Sequence, residues 1–366
     1  MERKNSSLEN MVKTMILNVD FWKDKRVFVT GHTGFKGSWM CLWLESMGAD
    51  IAGFSLNPLD SPNLFSEAKV DENIKNTFAD IRDQKALVDA ISTFNPEIVI
   101  HMAAQPLVRR SYENPIETYS TNVMGTVNLL DAIRHLPGVR AVVNVTTDKC
   151  YENKEWLWGY REDEPMGGHD PYSSSKACSE LVTRAYMKSY YSSSSTGLAS
   201  ARAGNVIGGG DWSNDRLIPD ILLAFQEKIP VVIRNPQSIR PWQHVLEPLH
   251  GYLLLAEKLY NEGHLYSEAW NFGPKDDDAK AVEWILDEMA TKWGDGASWV
   301  NDINENPHEA NFLKLDISKA NARIGWSPKW NLNQTLGYIV SWHKDWLNKR
   351  PARDICLEQI VQFNVT

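Results

Sequence analysis

The run over residues 26–48, RVFVTGHTGFKGSWMCLWLESMG, constrains the fold more than any other stretch of the chain. Val27, Phe28 and Val29 form a short apolar run that closes at Thr30, glycines follow at 31, 34 and 37, and apolar residues recur at Trp39, Leu42, Trp43 and Met47 before Gly48. That order predicts a strand, a tight turn and an amphipathic helix stopped by Gly48. Gly31 takes the turn dihedrals, Gly34 lets a diphosphate approach the backbone, and Gly37 lets the helix lie against the strand, with the free N–H groups of the first helical turn facing the phosphates. The unit predicts a dinucleotide site built from Gly31, His32, Thr33, Gly34, Phe35, Lys36 and Gly37. Lys36 has two readings here, a phosphate contact or a cation turned to solvent, the commoner fate of a surface lysine.

With 366 residues the chain has material for one large domain or two. A net charge of -9, with basic residues scattered singly or in pairs such as Arg109 and Arg110, offers no stripe for a nucleic-acid backbone. Apolar runs stay well short of the ~20 residues that span a bilayer, and residues 1–20 lack the core of a signal peptide, so no membrane partner and a cytoplasmic location are expected. Cys41, Cys150, Cys178 and Cys356 stand far apart without a CxxC, which predicts neither a disulfide framework nor a metal site.

Residues 1–20 read as a polar surface arm. A second strand over 50–54 should end beside the adenosine ribose, but that end reads Ser55, Leu56, Asn57. It carries neither the acid that favours NAD nor an arginine for a 2′-phosphate. In FADIRD, Asp80 and Ile81 can stand as the cap of a helix over 84–92. The strand 98–102 is apolar except for His101, as suits burial on both faces, with His101 a packed residue. Ala103 and Ala104, with Gln105, admit a flat ligand. A helix over 115–135 carries Asn122, whose amide should close backbone groups. Strand 141–145, a helix from Pro171 and strand 198–202 continue the alternation, so residues 21–204 predict a doubly wound parallel α/β sheet of Rossmann type. Beyond Arg202 come a glycine-rich turn at 208–212, helices over 217–226, 245–260, 281–293, 317–324 and 332–346, and short strands such as 231–233. These predict a smaller α+β substrate lobe over 205–366, of which about 242–275 returns to the first domain. The runs 192–195 and 276–278 read as exposed loops.

Tyr172 and Lys176 stand four apart in DPYSSSKACSE, on one face of a helix. A lysine cation beside a phenol brings its pKa down from about 10 toward a working range, where phenolate is a general base for an alcohol. Thr147, Asp148 and Lys149 follow the apolar strand at its C-terminal end, where doubly wound sheets place ligands. An acid beside a second proton-transfer group suits elimination of water; the bland alternative is a solvated Asp148–Lys149 ion pair.

Together GHTGFKGSW, VTTDKCYEN, DPYSSSKACSE, ARAGNVIGGGDW and SIRPWQHVLEPLHGYLLLAE resemble the extended short-chain dehydrogenase/reductase family, and within it the nucleotide-sugar 4,6-dehydratases that act on CDP-D-glucose. The resemblance runs from Phe21 onward, and TDKCYEN is its most discriminating piece. It implies an NAD-dependent hydro-lyase that yields CDP-4-dehydro-6-deoxy-D-glucose and water, on a route to dideoxy sugars of bacterial surface polysaccharide. By that resemblance Tyr172 takes the 4-hydroxyl proton with Thr147 on the same oxygen, Lys149 serves at C5, Asp148 protonates the departing 6-hydroxyl, and Lys176 supports Tyr172. Lys149 departs from the glutamate of thymidine-linked members. Asp80, Ile81, Ala103, Ala104, Gln105 and Thr121 are implied cofactor contacts. Arg109, Asn205, Arg216, Arg240 and His308 are implied substrate contacts, arginine suiting paired phosphate oxygens. The helix bearing Tyr172, with an apolar face at Ala177, Leu181 and Ala185, implies a homo-oligomer, dimer or tetramer. Two rivals remain: an oxidoreductase or 4-epimerase of the same fold, and a non-catalytic NAD-binding regulator, against which the complete Tyr172, Lys176 and Thr147 set argues.

Overall fold

The structure, a computed structural model, describes residues 17–58, 61–213, 215–302 and 313–366. Their strands, in chain order, are β1 (Arg26–Thr30), β2 (Asp50–Ser55), β3 (Lys75–Phe78), β4 (Ile98–His101), β5 (Ala141–Val145) and β6 (Gly197–Ala203), then β7 (Asn205–Ile207), β8 (Val231–Ile233), β9 (Ile239–His244), β10 (Ala269–Phe272), β11 (Ala279–Ala281) and β12 (Trp299–Asn301). Seven of them form one sheet in the order β10-β6-β5-β4-β1-β2-β3, parallel at every pairing. Because β1 has β2 on one side and β4 on the other, the order reverses there. The crevice beyond the C-terminal ends of β1 and β4 is therefore the place a doubly wound sheet offers a ligand.

Alternation along each strand divides the core. Val27 and Val29 of β1 pack on one face with the Phe35–Ser46 helix and its tryptophans, while Phe28 packs on the other with Phe54, Leu87, Ile91, Val99 and Leu129. A parallel sheet needs both faces covered, and both are. The β11-β9-β7 sheet, the β8–β12 pair and the helices Leu217–Glu227, Val282–Trp293 and Leu332–Leu347 surround a separate apolar cluster that includes Phe225, Ile285, Met289 and Leu336. Among the described residues, no helix is long and apolar enough to cross a membrane.

Several local expectations change. The helix expected over 115–135 is interrupted: Pro115–Tyr119 and Gly125–Ile133 are joined by a π turn, Ser120–Met124, that holds Asn122. Asp278 is buried, not exposed, and accepts from Leu332 N at 2.8 Å, closing the start of the Leu332–Leu347 helix. Of the N-terminal arm, only Leu17 to Asp20 are described; Leu17 is buried and the Val19–Trp22 helix drives Trp22 into the core. The strands β3, β7, β9, β10, β11 and β12 and a last helix, Ala352–Val365, had no counterpart in the sequence reading. That helix lies across the Phe35–Ser46 helix: Phe363 meets the Trp43 ring edge-on, and Arg353 pairs with Glu45.

Candidate active site

The glycine turn is shaped by contacts that no other residue permits. Gly31 has φ +74°, and a Cβ there would stand 2.7 Å from Ala103 N; a Cβ on Gly37 would collide with the Gly31 carbonyl. Gly34 differs, since it is exposed and only the Gly31 oxygen, at 3.4 Å, comes near its missing side chain. The first two glycines named here seat the helix on β1 and β4, and the third leaves the helix start open on its outer side. That opening, with the unpaired N–H groups of the first helical turn, fits a dinucleotide diphosphate. Thr33 ties the turn to the end of β2, through Ser55 Oγ at 2.9 Å and the Leu56 carbonyl at 3.0 Å.

Two side chains of the turn point elsewhere than the phosphates. The His32 ring is buried between Phe65 and Phe78, bonded to Asn76 Oδ1 at 3.0 Å, and burial pulls its pKa down to about 4. Phe35 packs against the Gly208 backbone. Lys36 is not turned to solvent. Burial, then the charges of Lys176 and Arg216, pull its ammonium down to about 7, with Asp148 opposing. The lysine therefore shares one electrostatic cluster with the tyrosine helix.

Around the switch point, Thr30 Oγ1 accepts from Met102 N and Ala103 N, both at 3.1 Å, and bonds His101 Nδ1 at 2.7 Å, so His101 is packed as expected. Ala103 and Ala104 are half-buried, and so is Thr121 in the π turn. Gln105 turns inward: its side chain bonds Leu107 at both its N–H and its carbonyl, and Thr118 Oγ1, while Asn122 holds the Gln105 backbone at 2.8 and 3.1 Å. Asn122 thus closes backbone groups as its amide suggests, and the Gln105 side chain is spent on the loop. Asp80 binds Arg82, and the cap of the Gln84–Phe94 helix is Asp83, which corrects the capping alternative; Ile81 is buried under Gly125.

The chemistry converges at the ends of β5 and β6. Thr147 caps a short turn, donating to Asp148 Oδ1 at 2.9 Å and accepting from Lys149 N at 3.3 Å. Asp148 is 2% exposed, so it is not half of a solvated ion pair. Its Oδ2 has no hydrogen-bond partner and faces Gly204, where a Cβ would come within 3.1 Å. Burial raises the Asp148 pKa, with the Lys149 charge the first to oppose it, and Arg240 among the others. Lys149 is half-buried beside it.

On the Pro171–Tyr186 helix, capped by Asp170, Lys176 is buried and donates to the Val145 carbonyl at 2.9 Å; burial pulls it down to about 8, with Glu180 the first to oppose. Tyr172 is pushed up to about 12 by burial, against the Thr147 hydroxyl and the Arg216 charge. The fall expected from Lys176 is not seen in the protein by itself, because burial outweighs every charge that faces the phenol. Tyr172, Lys176, Thr147, Asp148, Lys36, Arg216 and Arg240 are thus brought together. Asn205 opens β7 nearby, half-buried, and Arg216 stands 3.7 Å from Asp211. Arg109 is tied to Asp215 on an exposed rim, and His308 lies outside the described residues.

The face expected at Ala177, Leu181 and Ala185 is only partly right. Ala177 packs inside with Cys150, Tyr151 and Tyr160, whereas Leu181 and Ala185 are exposed, beside Tyr112 and Ile116 of adjoining helices. Sequence reasoning missed Glu180 and Arg202, a buried ion pair below Lys176. Their signal was present: a glutamate one turn after the lysine, and an arginine in the otherwise small and apolar strand LASARA. Among the described residues, no group of histidine, cysteine and carboxylates could hold a metal ion.

Comparison with known proteins places this geometry. The family model described as GDP-mannose 4,6 dehydratase matches residues 28–338. The chain is 59% identical over 337 residues to a CDP-glucose 4,6-dehydratase of Salmonella typhimurium, covering 91% of this chain and 94% of that one. It is 27% identical over 338 residues to a probable dTDP-glucose 4,6-dehydratase of Sinorhizobium fredii, covering 87% and 92%. Two solved structures share the fold. They are a UDP-glucose 4-epimerase of Thermotoga maritima, with TM-score 0.77, 22% identity and 88% and 99% coverage, and a dTDP-glucose 4,6-dehydratase of Bacillus anthracis in complex with NAD, with TM-score 0.73, 23% identity and 88% and 97% coverage.

Proposed function

The chain belongs to the GDP-mannose 4,6 dehydratase family of nucleotide-sugar dehydratases, and from that premise we propose that it is a hydro-lyase converting CDP-D-glucose to CDP-4-dehydro-6-deoxy-D-glucose and water. The observation that carries the substrate is the 59% identity to the Salmonella enzyme. Bound NAD would supply a hydride acceptor for C4 and a hydride donor for C6, with no net oxidation or reduction. The backbone of residues 31–37 would hold its diphosphate, and Ala103 and Ala104 would flank its nicotinamide half.

The residues divide the proton work. Tyr172 removes the 4-hydroxyl proton as C4 is oxidised, with Thr147 on the same oxygen and the Arg216 charge favouring phenolate. The ketone so formed acidifies the C5 proton, which Lys149 takes. Asp148, whose pKa burial raises, gives its proton to the departing 6-oxygen, which leaves as water. C5 is then reprotonated as C6 is reduced. Arg216 and Arg240, with Asn205, would meet the substrate diphosphate, and Arg109 could join only by leaving Asp215. Residues 21–204 would form the cofactor domain and 205–366 most of the substrate lobe. We further propose a cytoplasmic enzyme of surface-polysaccharide biosynthesis, dimeric or larger through the face that includes Leu181 and Ile116.

Offering the glucose diphosphates of cytidine, thymidine, uridine and guanosine in parallel tests the reading: a 4-keto sugar should form only or mainly with cytidine. Equal rates refute the cytidine assignment. Lasting reduced nicotinamide would instead mark an oxidoreductase, and a C4-inverted product keeping its 6-hydroxyl an epimerase.

A further inference from the structure

Below the catalytic lysine lies a pair of charges that the proposed reaction does not use. Glu180 stands one helical turn after Lys176, Arg202 lies in β6, and both side chains are 4% exposed. The Glu180 carboxylate is saturated: Oε2 accepts from Arg202 Nη2 at 2.8 Å and from Ser200 Oγ at 2.6 Å, and Oε1 accepts from Thr146 Oγ1. Arg202 in turn donates from Nη1 to the Tyr151 hydroxyl at 2.6 Å and to the Glu162 carbonyl at 3.0 Å, and its guanidinium lies over the Tyr151 ring. Tyr151 passes the chain on to Asn271 Oδ1 in β10 at 2.8 Å.

One carboxylate therefore ties the tyrosine helix to β5 at Thr146, one residue before Thr147, and to β6, which leads into Gly204 and Asn205. Those three elements carry Tyr172, Lys176, Thr147, Asp148 and the glycine that faces the Asp148 oxygen. An apolar pair of similar volume often holds a fold as well as a buried ion pair does, so stability alone is a weak reason for burying these charges.

We propose that Glu180, anchored by Arg202, is a positioning residue for the reaction: it locks the helix face that bears Lys176 and Tyr172 against the ends of β5 and β6 and sets its charge toward the Lys176 ammonium. This rests on reading Tyr172 and Lys176 as the catalytic pair. The titratable groups that face Lys176 are Glu180 on its own helix, Cys150 after β5, His101 in β4 and Lys36 from the glycine turn. Glu180 is the first of them to oppose the loss of the lysine's proton. Burial pushes Glu180 up, but Arg202, Ser200 and Thr146 hold it below the usual carboxylate range.

Three full-length variants test the proposal. Glu180→Gln removes the charge and keeps the shape; Glu180→Gln/Arg202→Met avoids stranding the guanidinium; Thr146→Val cuts one tie and no charge. Lys176 is followed by competitive acetylation with acetic anhydride across pH, read by mass spectrometry without nucleotide sugar. In both glutamine variants its reactivity should appear at a pH lower by about one, and kcat should fall about tenfold with KM changed less than about twofold. Thr146→Val should lower kcat about threefold and leave the acetylation profile in place. A merely structural pair predicts lower thermal midpoints with an unchanged profile and unchanged kcat in the folded protein, and that result overturns the proposal. If both glutamine variants fail to fold, an unchanged kcat in Thr146→Val overturns it. Wild-type protein that ignores CDP-D-glucose would refute the substrate reading while leaving the acetylation result standing.

Discussion

Adding a methyl group at Gly53 measures how tightly the glycine turn is seated on β2. A Cβ there would stand 2.7 Å from His32 Nδ1 and overlap the ring carbons beside it. The ring cannot yield cheaply, because it is fully buried, lies against Phe65 and Phe78, and bonds Asn76 at 3.0 Å. Overpacking of this kind costs roughly 1–3 kcal/mol, and loss of the His32–Asn76 bond about 1 kcal/mol more. Gly53→Ala should therefore destabilise by about 2–4 kcal/mol, slightly offset by the lower chain entropy of alanine when unfolded. At about 2.1 cal/mol/K of unfolding entropy per residue, a chain of this length should lose about 3–5 °C in thermal midpoint. Since burial holds His32 near 4, the ring is neutral at pH 7 and the loss should be the same from pH 6 to 8. The decisive assay is the cycle with His32→Ala, followed by calorimetry. With the ring gone, Gly53→Ala should cost less than about 0.5 kcal/mol or stabilise. An equal cost in both backgrounds would refute the argument, since the clash would then not be with His32.

Four other outcomes are expected. Lys149→Met should oxidise C4, seen as a bound reduced nicotinamide, but lose water about 10²–10³-fold more slowly, and in deuterated water the wild type should place deuterium at C5 and none at C6; normal elimination at saturation would show that another group is the base. Tyr172→Phe should block even the first step, lowering kcat/KM about 10²–10⁴-fold with no reduced nicotinamide detected in single-turnover absorbance. Burial pushes Glu247 up to about 8 against the N–H groups of Trp330 and Lys329; a carboxyl raised above its unfolded value stabilises below that value and loses the contribution as pH climbs through 8, so the thermal midpoint of wild type relative to Glu247→Gln should fall between pH 6 and 9, and a relative rise would contradict it. Sedimentation at micromolar protein should show a dimer or larger, with Ile116→Lys/Leu181→Lys driving it toward monomer; a monomeric wild type would sink the interface.

What was legible in the sequence was whatever repeats with a period. Buried parallel strands such as VFV and VVNV, and the spacing of Tyr172 and Lys176, follow directly from side-chain geometry. β3 was not legible because its KNTF sequence sits at a sheet edge, partly or fully exposed along its length, with no apolar run to betray it. The Ala352–Val365 helix hid for the opposite reason: Ile355, Cys356, Ile360 and Phe363 point inward, but Gln359 is buried among them and Val361 and Val365 are exposed, which blurs the stripe. At the site, residue types announced Thr147, Asp148 and Tyr172, whereas Lys36 turned out to face the tyrosine helix. No rule of spacing gives the direction of a long side chain leaving a glycine turn.

The helix that follows the glycine turn is covered by one that is made much later. Arg353 meets Glu45 across a separation of 308 residues, and Phe363 closes over Trp43. At about 5–20 residues per second, a ribosome takes roughly 15–60 s to supply that cover. Through that interval the Trp43 ring lacks the cover that Phe363 gives it, with His250 the earlier-made ring stacked on it. Holding chaperones should matter more for the yield of this protein than its stability once complete would suggest.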